Sequence, residues 1–437
     1  MSPQRLRPNH AVIGLGVLVA LFTVGSGVAS LVNGFHDDSP ITREVFVNVP
    51  GPLKLAFYTV IPMLIIYGAV LFSQRVQNWQ RGTPDNRSTN AGNAKRRFGD
   101  FRSGVYMKTL LREPAAGIMH ALIYFPFLIL MAVTTVLEIN HQVPESIKFL
   151  HGDVYRAYTA VGDIAGALYL VGVVWAVLRR YGPRRFRPYR IRIKSKPEHA
   201  AVLLIFMAIG ITGFGAEAFR IALQDSLGGH GAEAETWSVI GYPLAMAIGG
   251  SDQLAGDLAG WHQGWWIAHV MSFMAFLALL PITMIRHMFT SPLNMYLKDR
   301  DRPKGAMKAM PNLMETELES FGASTIEEFT WKQLLDTDSC TMCGRCTSVC
   351  PAHATGKPLD PREIVLKTGE VMAATGTPVV SPPIGTDAEI SVPANWMFDR
   401  ITSDELWACT TCRACDEICP VNIEIMDKIL DMRRYLS

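Results

Sequence analysis

The chain has 437 residues and a net charge of only +2, and 18% of its residues are charged, against roughly 25% in an average soluble domain. That balance does not suit a protein that holds nucleic acid along a basic stripe, and no nucleic-acid partner is expected. All eight cysteines lie in two short stretches, CTMCGRCTSVCP from Cys340 to Pro351 and CTTCRACDEICP from Cys409 to Pro420. A secreted disulfide scaffold spreads its cysteines through the fold, so clustered ones point to metal ligands in a reducing compartment.

Six apolar runs come first in chain order, at about 11–34, 52–74, 114–138, 158–178, 199–223 and 263–286. Each is long enough to cross a hydrocarbon core of roughly 30 Å as a helix. The first follows Arg5 and Arg7, as a signal peptide would. Its apolar stretch exceeds the roughly 15-residue limit of a signal core and ends in no clear cleavage box, so it reads as an uncleaved helix. Loop 75–113 holds nine Lys and Arg, and 179–199 holds nine more. Loop 224–261 has neither, and carries Asp225, Glu233, Glu235, Asp252 and Asp257. Basic loops stay on the cytoplasmic side. Both termini, and with them the cysteine motifs, are therefore expected on the cytoplasmic side of a bacterial membrane.

Histidines sit at both edges of this membrane half. In the sixth run His262, His269 and His287 are 7 and 18 residues apart, spacings that return to nearly one face of a helix. The stretch from His269 to His287 would span roughly 27 Å of a continuous helix. His120 opens the third run and His141 lies just past its end. The third and sixth runs are antiparallel, so His120 is expected at the depth of His287. His141 is expected at that of His269, with His262 and His151 as alternatives. Paired imidazoles at two depths suit two b-type haems more than one; the plainer reading is interfacial histidines bonded to headgroups. Asp163, Glu217 and Arg220 cluster toward the outer side. Glu217 and Arg220 are three apart and can form an ion pair, or all three can serve proton handling beside a quinone. Gly210, Gly213 and Gly215 are expected to let helices pack closely.

Beyond the sixth run the composition turns polar. Residues 1–290 read as the membrane domain, 291–338 as a cytoplasmic linker and 339–437 as a cysteine domain. In the linker, Lys298, Arg300, Arg302 and Lys304 are expected against the membrane face, followed by a helix-like acidic run from Glu315 to Glu328. Both motifs have the spacing C-x2-C-x2-C-x3-C-P of two-cluster ferredoxins, in which the fourth cysteine binds the other cluster. One [4Fe–4S] cluster is thus assigned Cys340, Cys343, Cys346 and Cys419, and the other Cys409, Cys412, Cys415 and Cys350. Pro351 and Pro420 are expected to stop each loop. Zinc is the competing reading, but its modules use separated ligand pairs. Between Cys350 and Cys409 lie 58 residues, more than a compact β-α-β-β-α-β ferredoxin uses, so a small helical fold with an insertion is expected. Residues 421–437 pattern as an amphipathic helix that ends with no stop signal.

These residues carry a family resemblance. GIMHALIYFPF around His120, FLHGDVYRAY around His151, HQGWWIAH from His262 to His269 and LPITMIRHMFTSPLN around His287 resemble the cytochrome b subunits of nitrate reductase and heterodisulfide reductase. The paired cysteine motifs resemble the iron–sulfur subunit of heterodisulfide reductase. Fused in this order, the two halves resemble membrane-bound Fe–S oxidoreductases that pass electrons from electron-transfer flavoprotein to menaquinone. The resemblance implies a mainly α protein: a six-helix transmembrane cytochrome b bundle plus a small α-helical dicluster ferredoxin-like domain. It implies an enzyme with two [4Fe–4S] clusters and haem b, menaquinone as substrate, and electron-transfer flavoprotein or another cytoplasmic redox protein as donor. The reverse reading oxidises quinol to drive a cytoplasmic heterodisulfide reductase. A membrane scaffold or redox sensor with clusters and no haem is the non-enzyme reading. Relatives of this kind continue into Cys-Cys-Gly modules, and no Cys-Cys pair stands in this sequence.

Overall fold

The computed structural model describes residues 8–32, 46–85, 87, 89–188, 191, 193–227, 235–298, 302, 306–310, 312, 314–316, 321–376 and 396–437. Among them there is no strand, only an isolated bridge between Thr83 and Thr330. Five helices among the described residues are long and apolar enough to cross a membrane: α1 (Pro8–Val32), α2 (Gly51–Trp79), α4 (Pro114–Gln142), α5 (Gly152–Tyr181) and α6 (Pro197–Ser226). Proline sits in the first turn of α2, α4 and α6, where its missing N–H costs no bond and its φ is already helical. Large apolar side chains such as Leu18 and Phe22 on α1, Met63 on α2 and Leu204 on α6 are exposed. A helix that closes all its backbone bonds internally and shows apolar side chains outward is what a lipid surround demands. Gly210 and Gly215 do bring helices together: a Cβ there would collide with Leu170 and with Trp265.

The sixth run departs from expectation. A helix α8 (Leu258–Leu279) ends early, and the segment Met284–Tyr296 turns from it by 78°. This segment includes helix α9 (His287–Tyr296). The continuous helix that would place His269 and His287 on one face therefore does not exist. Pro281 contributes to the break, yet Pro62 in α2 and Pro126 in α4 are accommodated without one. The difference is tertiary: Arg75 Nε donates to the Pro281 carbonyl at 2.7 Å, and Thr283 Oγ1 accepts from Ile285 N, so groups released by the break find partners.

Both long loops hold helices that their charge patterns did not reveal: α3 (Ala91–Val105) in the basic loop and α7 (Gly241–Gly249) in the acidic one. The acidic run Glu315–Glu328 is not an α-helix in its described residues, which contain only the 3-10 turn Ile326–Glu328. Thr325 and Glu328 close a capping box there that ends after one turn. Arg302 pairs with Asp427 at 2.6 Å rather than with a lipid face; Arg300 and Lys304 lie outside the described residues.

The C-terminal part of the chain packs helices α10 (Trp331–Ser339), α11 (Pro361–Thr375) and α12 (Ile425–Leu436) around Leu334, Leu335, Ile364, Met397 and Ile429. At its centre Lys332 and Lys428 are fully buried, and both bind Asp336, at 2.7 and 2.5 Å. Asn294 of α9 donates to the same carboxylate at 2.9 Å. Burial opposes ionisation of Asp336, but the two ammonium groups outweigh it and hold its carboxyl below the usual range. Its contribution is thus complete above the unfolded value of about 3.9 and is lost as pH falls through the lower folded pKa. Asp336→Ala strands two buried cations and should cost about 3–5 kcal/mol. Replacing all three charges with Met, Leu and Met should be far milder, and apparent melting temperatures in detergent compare the two.

Candidate iron–sulfur and haem sites

Both cysteine loops fold alike. Met342 and Thr411 have φ of 56° and 57°, and Gly344 and Arg413 have φ of 79° and 59°. The left-handed region costs an L-residue roughly 1–2 kcal/mol, and β-branched Thr411 is an outlier there. Two strained turns at matching positions therefore mean that the surroundings impose them. Each loop then enters a short helix, Arg345–Val349 or Ala414–Ile418. Pro351 ends the first of these helices but opens another turn, Pro351–Ala354, rather than only terminating the loop.

Cys340, Cys343, Cys346 and Cys419 line one cavity, with Arg345, Arg362, Val421, Ile423 and Ile425 on its walls. In the second group, Cys350 and Cys412 lie close enough to Cys409 to raise its thiol pKa, which burial raises most, while Arg433 opposes the rise. Cys415 feels both Cys409 and Cys346, so the two groups adjoin. Burial pushes the Cys340 thiol up to about 11 and Cys419 up to about 12. Metal ligation requires thiolate, so iron bound here would offset that desolvation. Among the described residues no three His, Cys, Asp or Glu side chains converge as around a single ion. Four thiols around a cavity suit the separate corners of a cubane instead. Cys412 is exposed, whereas Cys350, Cys415 and Cys419 are buried.

The cysteine domain rests on the membrane half through the basic loops. Arg81 binds Glu327, Arg87 binds Glu424 and Lys194 binds Glu363, at 2.7, 2.7 and 3.2 Å. Arg345 donates to the carbonyls of Thr109 and Leu110 and to Glu113, which also holds Arg179. The centre of the contact is Asp338, two residues before Cys340. Its Oδ1 accepts from Arg75 at 2.9 Å and Arg286 at 3.0 Å, and its Oδ2 from Trp79 at 2.7 Å.

Next to Arg286 is His287, and its ring faces His120 with centroids 6.4 Å apart. A metal–imidazole bond of about 2 Å on each side places the rings of a bis-histidine iron roughly that far apart. His287 Nδ1–H donates to the Met284 carbonyl at 2.7 Å, which leaves Nε2 with the lone pair, the usual orientation of a ligating histidine. His120 Nδ1 is buried and has no partner among the described residues. These two residues fit haem ligation. The other histidines are placed less simply: His141 contacts Ser30 at 3.3 Å and Phe46, His269 contacts Thr212 at 3.1 Å, His262 is buried, and His151 is exposed.

On the far side Asp163 accepts from the backbone N–H groups of Ile240 and Gly241, and so caps α7. Arg220 pairs with Glu235 at 2.6 Å, not with Glu217 as the spacing suggested. Tyr155 donates to Glu235 at 2.5 Å, and Ser238 donates to Glu217 at 3.2 Å. Spacing along one helix cannot reveal a partner from a loop, so Glu235 and Tyr155 were not among the expected residues. Asp338, Arg75 and Arg286 were missed for the same reason.

The model of the 4Fe-4S dicluster domain matches residues 339–424. The chain is similar to the EtfAB:quinone oxidoreductase of Syntrophomonas wolfei, with 30% identity over 93% of this chain and 58% of the relative. It is similar also to the probable iron-sulfur-binding oxidoreductase FadF of Bacillus subtilis, at 30% over 75% of this chain and 48% of the relative. A component of the ferredoxin:CoB-CoM heterodisulfide reductase of Methanosarcina mazei is 33% identical over 23% of this chain and 46% of its own length. The chain thus spans about half the length of these relatives. No solved structure matches it.

Arg220→Met leaves the 2%-exposed Glu235 without its cation and should cost about 3–5 kcal/mol. Adding Glu235→Gln should recover part of the loss, as read from thermal unfolding in detergent.

Proposed function

We propose that this chain is a membrane electron-transfer oxidoreductase module. Electrons enter from a cytoplasmic donor, with electron-transfer flavoprotein as the best candidate, and reach menaquinone through two [4Fe–4S] clusters and haem b. The reading is supported most by one observation: a dicluster domain is docked against the face where His120 meets His287. The chemistry supplied by the bound groups is one-electron transfer. The chain's residues hold and orient them. Cys340, Cys343, Cys346 and Cys419 would hold one cluster, and Cys409, Cys412, Cys415 and Cys350 the other. His120 and His287 would hold the haem on the cluster side. His141 with His269, or with His262 or His151 as alternatives, would hold a second haem toward the outer side.

The exposed Cys412 suits entry from a soluble donor, while Cys340 follows two residues after Asp338, which is bonded to Arg286 of the membrane half. Arg75, Arg81, Arg87 and Lys194 gather the basic loops on the side of the cysteine domain, in keeping with a cytoplasmic face and cytoplasmic termini. Asp163, Glu217 and Arg220, joined by Glu235, would form the quinone or proton site on the opposite side. Similarity to a component of heterodisulfide reductase favours a second reading, in which quinol is oxidised to drive a thiol–disulfide reductase. Midpoint potentials of haem and clusters relative to menaquinone separate the two directions.

A dithionite-reduced spectrum of the purified protein should show b-type α-bands; their absence would sink the haem half of the proposal. His120→Ala should remove one haem signal and leave the cluster signals intact. Cys350→Ser should lower bound iron by about half while sparing the cluster of Cys340, Cys343, Cys346 and Cys419. Loss of that cluster's electron paramagnetic resonance signal instead would mean that the motifs do not exchange their fourth cysteines.

A further inference from the structure

We propose that Asp338 is the positioning residue for electron transfer across the membrane face, an inference that rests on the haem and cluster reading above. It links the proposed cluster ligand Cys340 to the proposed haem ligand His287 by a short route: Cys340, Ser339, Asp338, then across a 3.0 Å bond to Arg286, the residue before His287. Two further bonds hold the route in register. Thr290 Oγ1 donates to the Asp338 carbonyl, and Ser339 Oγ donates to the Thr290 carbonyl, both at 3.1 Å. Arg75 binds Asp338 with one nitrogen and the Pro281 carbonyl with another. The carboxylate that anchors the cysteine loop is thereby tied to the helix break that turns His287 toward His120.

Electron transfer slows steeply as the gap between redox groups widens, so a contact that fixes this gap sets the rate. The junction also carries charge. Arg75 and Arg286 share one carboxylate that is 5% exposed, and the buried Glu198 is the further carboxylate that acts on Arg75. Trp79 donates to the second oxygen at 2.7 Å, so both oxygens of the carboxylate are committed and the geometry has little freedom. Surface arginines engaged only with lipid headgroups would not enforce this arrangement.

The test uses the purified full chain with its cofactors and compares Asp338→Asn with Asp338→Glu. Asparagine keeps the shape but removes the anion between two guanidinium groups. The midpoint potential of the cluster-side haem should rise, because the reduced form gains more from uncompensated positive charge. Haem reduction after rapid cluster reduction should slow by roughly tenfold or more. Glutamate should restore the potential and part of the rate. A domain that had merely loosened would show the slower rate without the charge-dependent shift in potential, and that result would overturn the proposal. Unchanged potential and rate in Asp338→Asn would overturn it too. Where Asp338→Asn fails to retain its cofactors, Arg286→Lys decides: it keeps the charge but loses the guanidinium fork. It should slow the transfer with little change in potential, and an unchanged rate refutes the inference. A wild-type protein with no haem spectrum would instead reject the underlying functional reading.

Discussion

At Asp338 the two halves of the protein meet through one buried carboxylate. It takes hydrogen bonds from Arg75 and Trp79 at the end of α2 and from Arg286 beyond the break in the sixth span. Burying an ion is costly unless it is paired and bonded, and here the partners belong to segments that are distant in the chain. Burial would raise the Asp338 carboxyl pKa, but Arg75 and Arg286 hold it below the usual range. The group therefore stays charged at neutral pH and commits the cysteine loop to one position on the membrane half. A hydrophobic contact of similar area would tolerate sliding, whereas directional bonds to a single carboxylate fix the register.

The buried triad of Lys332, Asp336 and Lys428 works by the same principle one layer further in. Asp336 joins α10 to α12 and, through Asn294, to α9. Asn294 also donates to the Val421 carbonyl beside the first cysteine cavity at 2.9 Å. Helix α9 therefore begins at His287 and reaches the wall of the cysteine cavity within three turns. A rigid element of that length connects the two candidate centres without relying on a flexible linker. Because ionic cores are often no more stable than apolar ones of the same volume, the gain here is geometric definition.

Much of this was legible in the residues themselves. Apolar runs marked the long helices, and five of the six expected runs are single helices. The repeated cysteine spacing groups Cys340, Cys343, Cys346 and Cys419, and these four thiols line one cavity. His120 and His287, expected at one depth by an argument that assumed a straight sixth helix, lie with ring centroids 6.4 Å apart. The break brings His287 to His120 by a turn of 78° rather than by helical periodicity. The partner of Arg220 was misjudged because a spacing rule covers one helix, while Glu235 arrives from a loop beyond it.

The sequence alone determined the composition of the two halves, the lengths of the spans and the repeated cysteine spacing. Each of these depends only on near neighbours or on transfer to lipid. Tertiary structure decided where the sixth span breaks, which carboxylate each buried arginine binds, and how the cysteine domain sits on the helices. Those outcomes depend on groups that are far apart in the chain and become neighbours only on folding, so no local pattern records them. Pro281 makes the point: prolines inside α2 and α4 leave those spans continuous, and at Pro281 it is Arg75, more than two hundred residues away, that satisfies the released carbonyl.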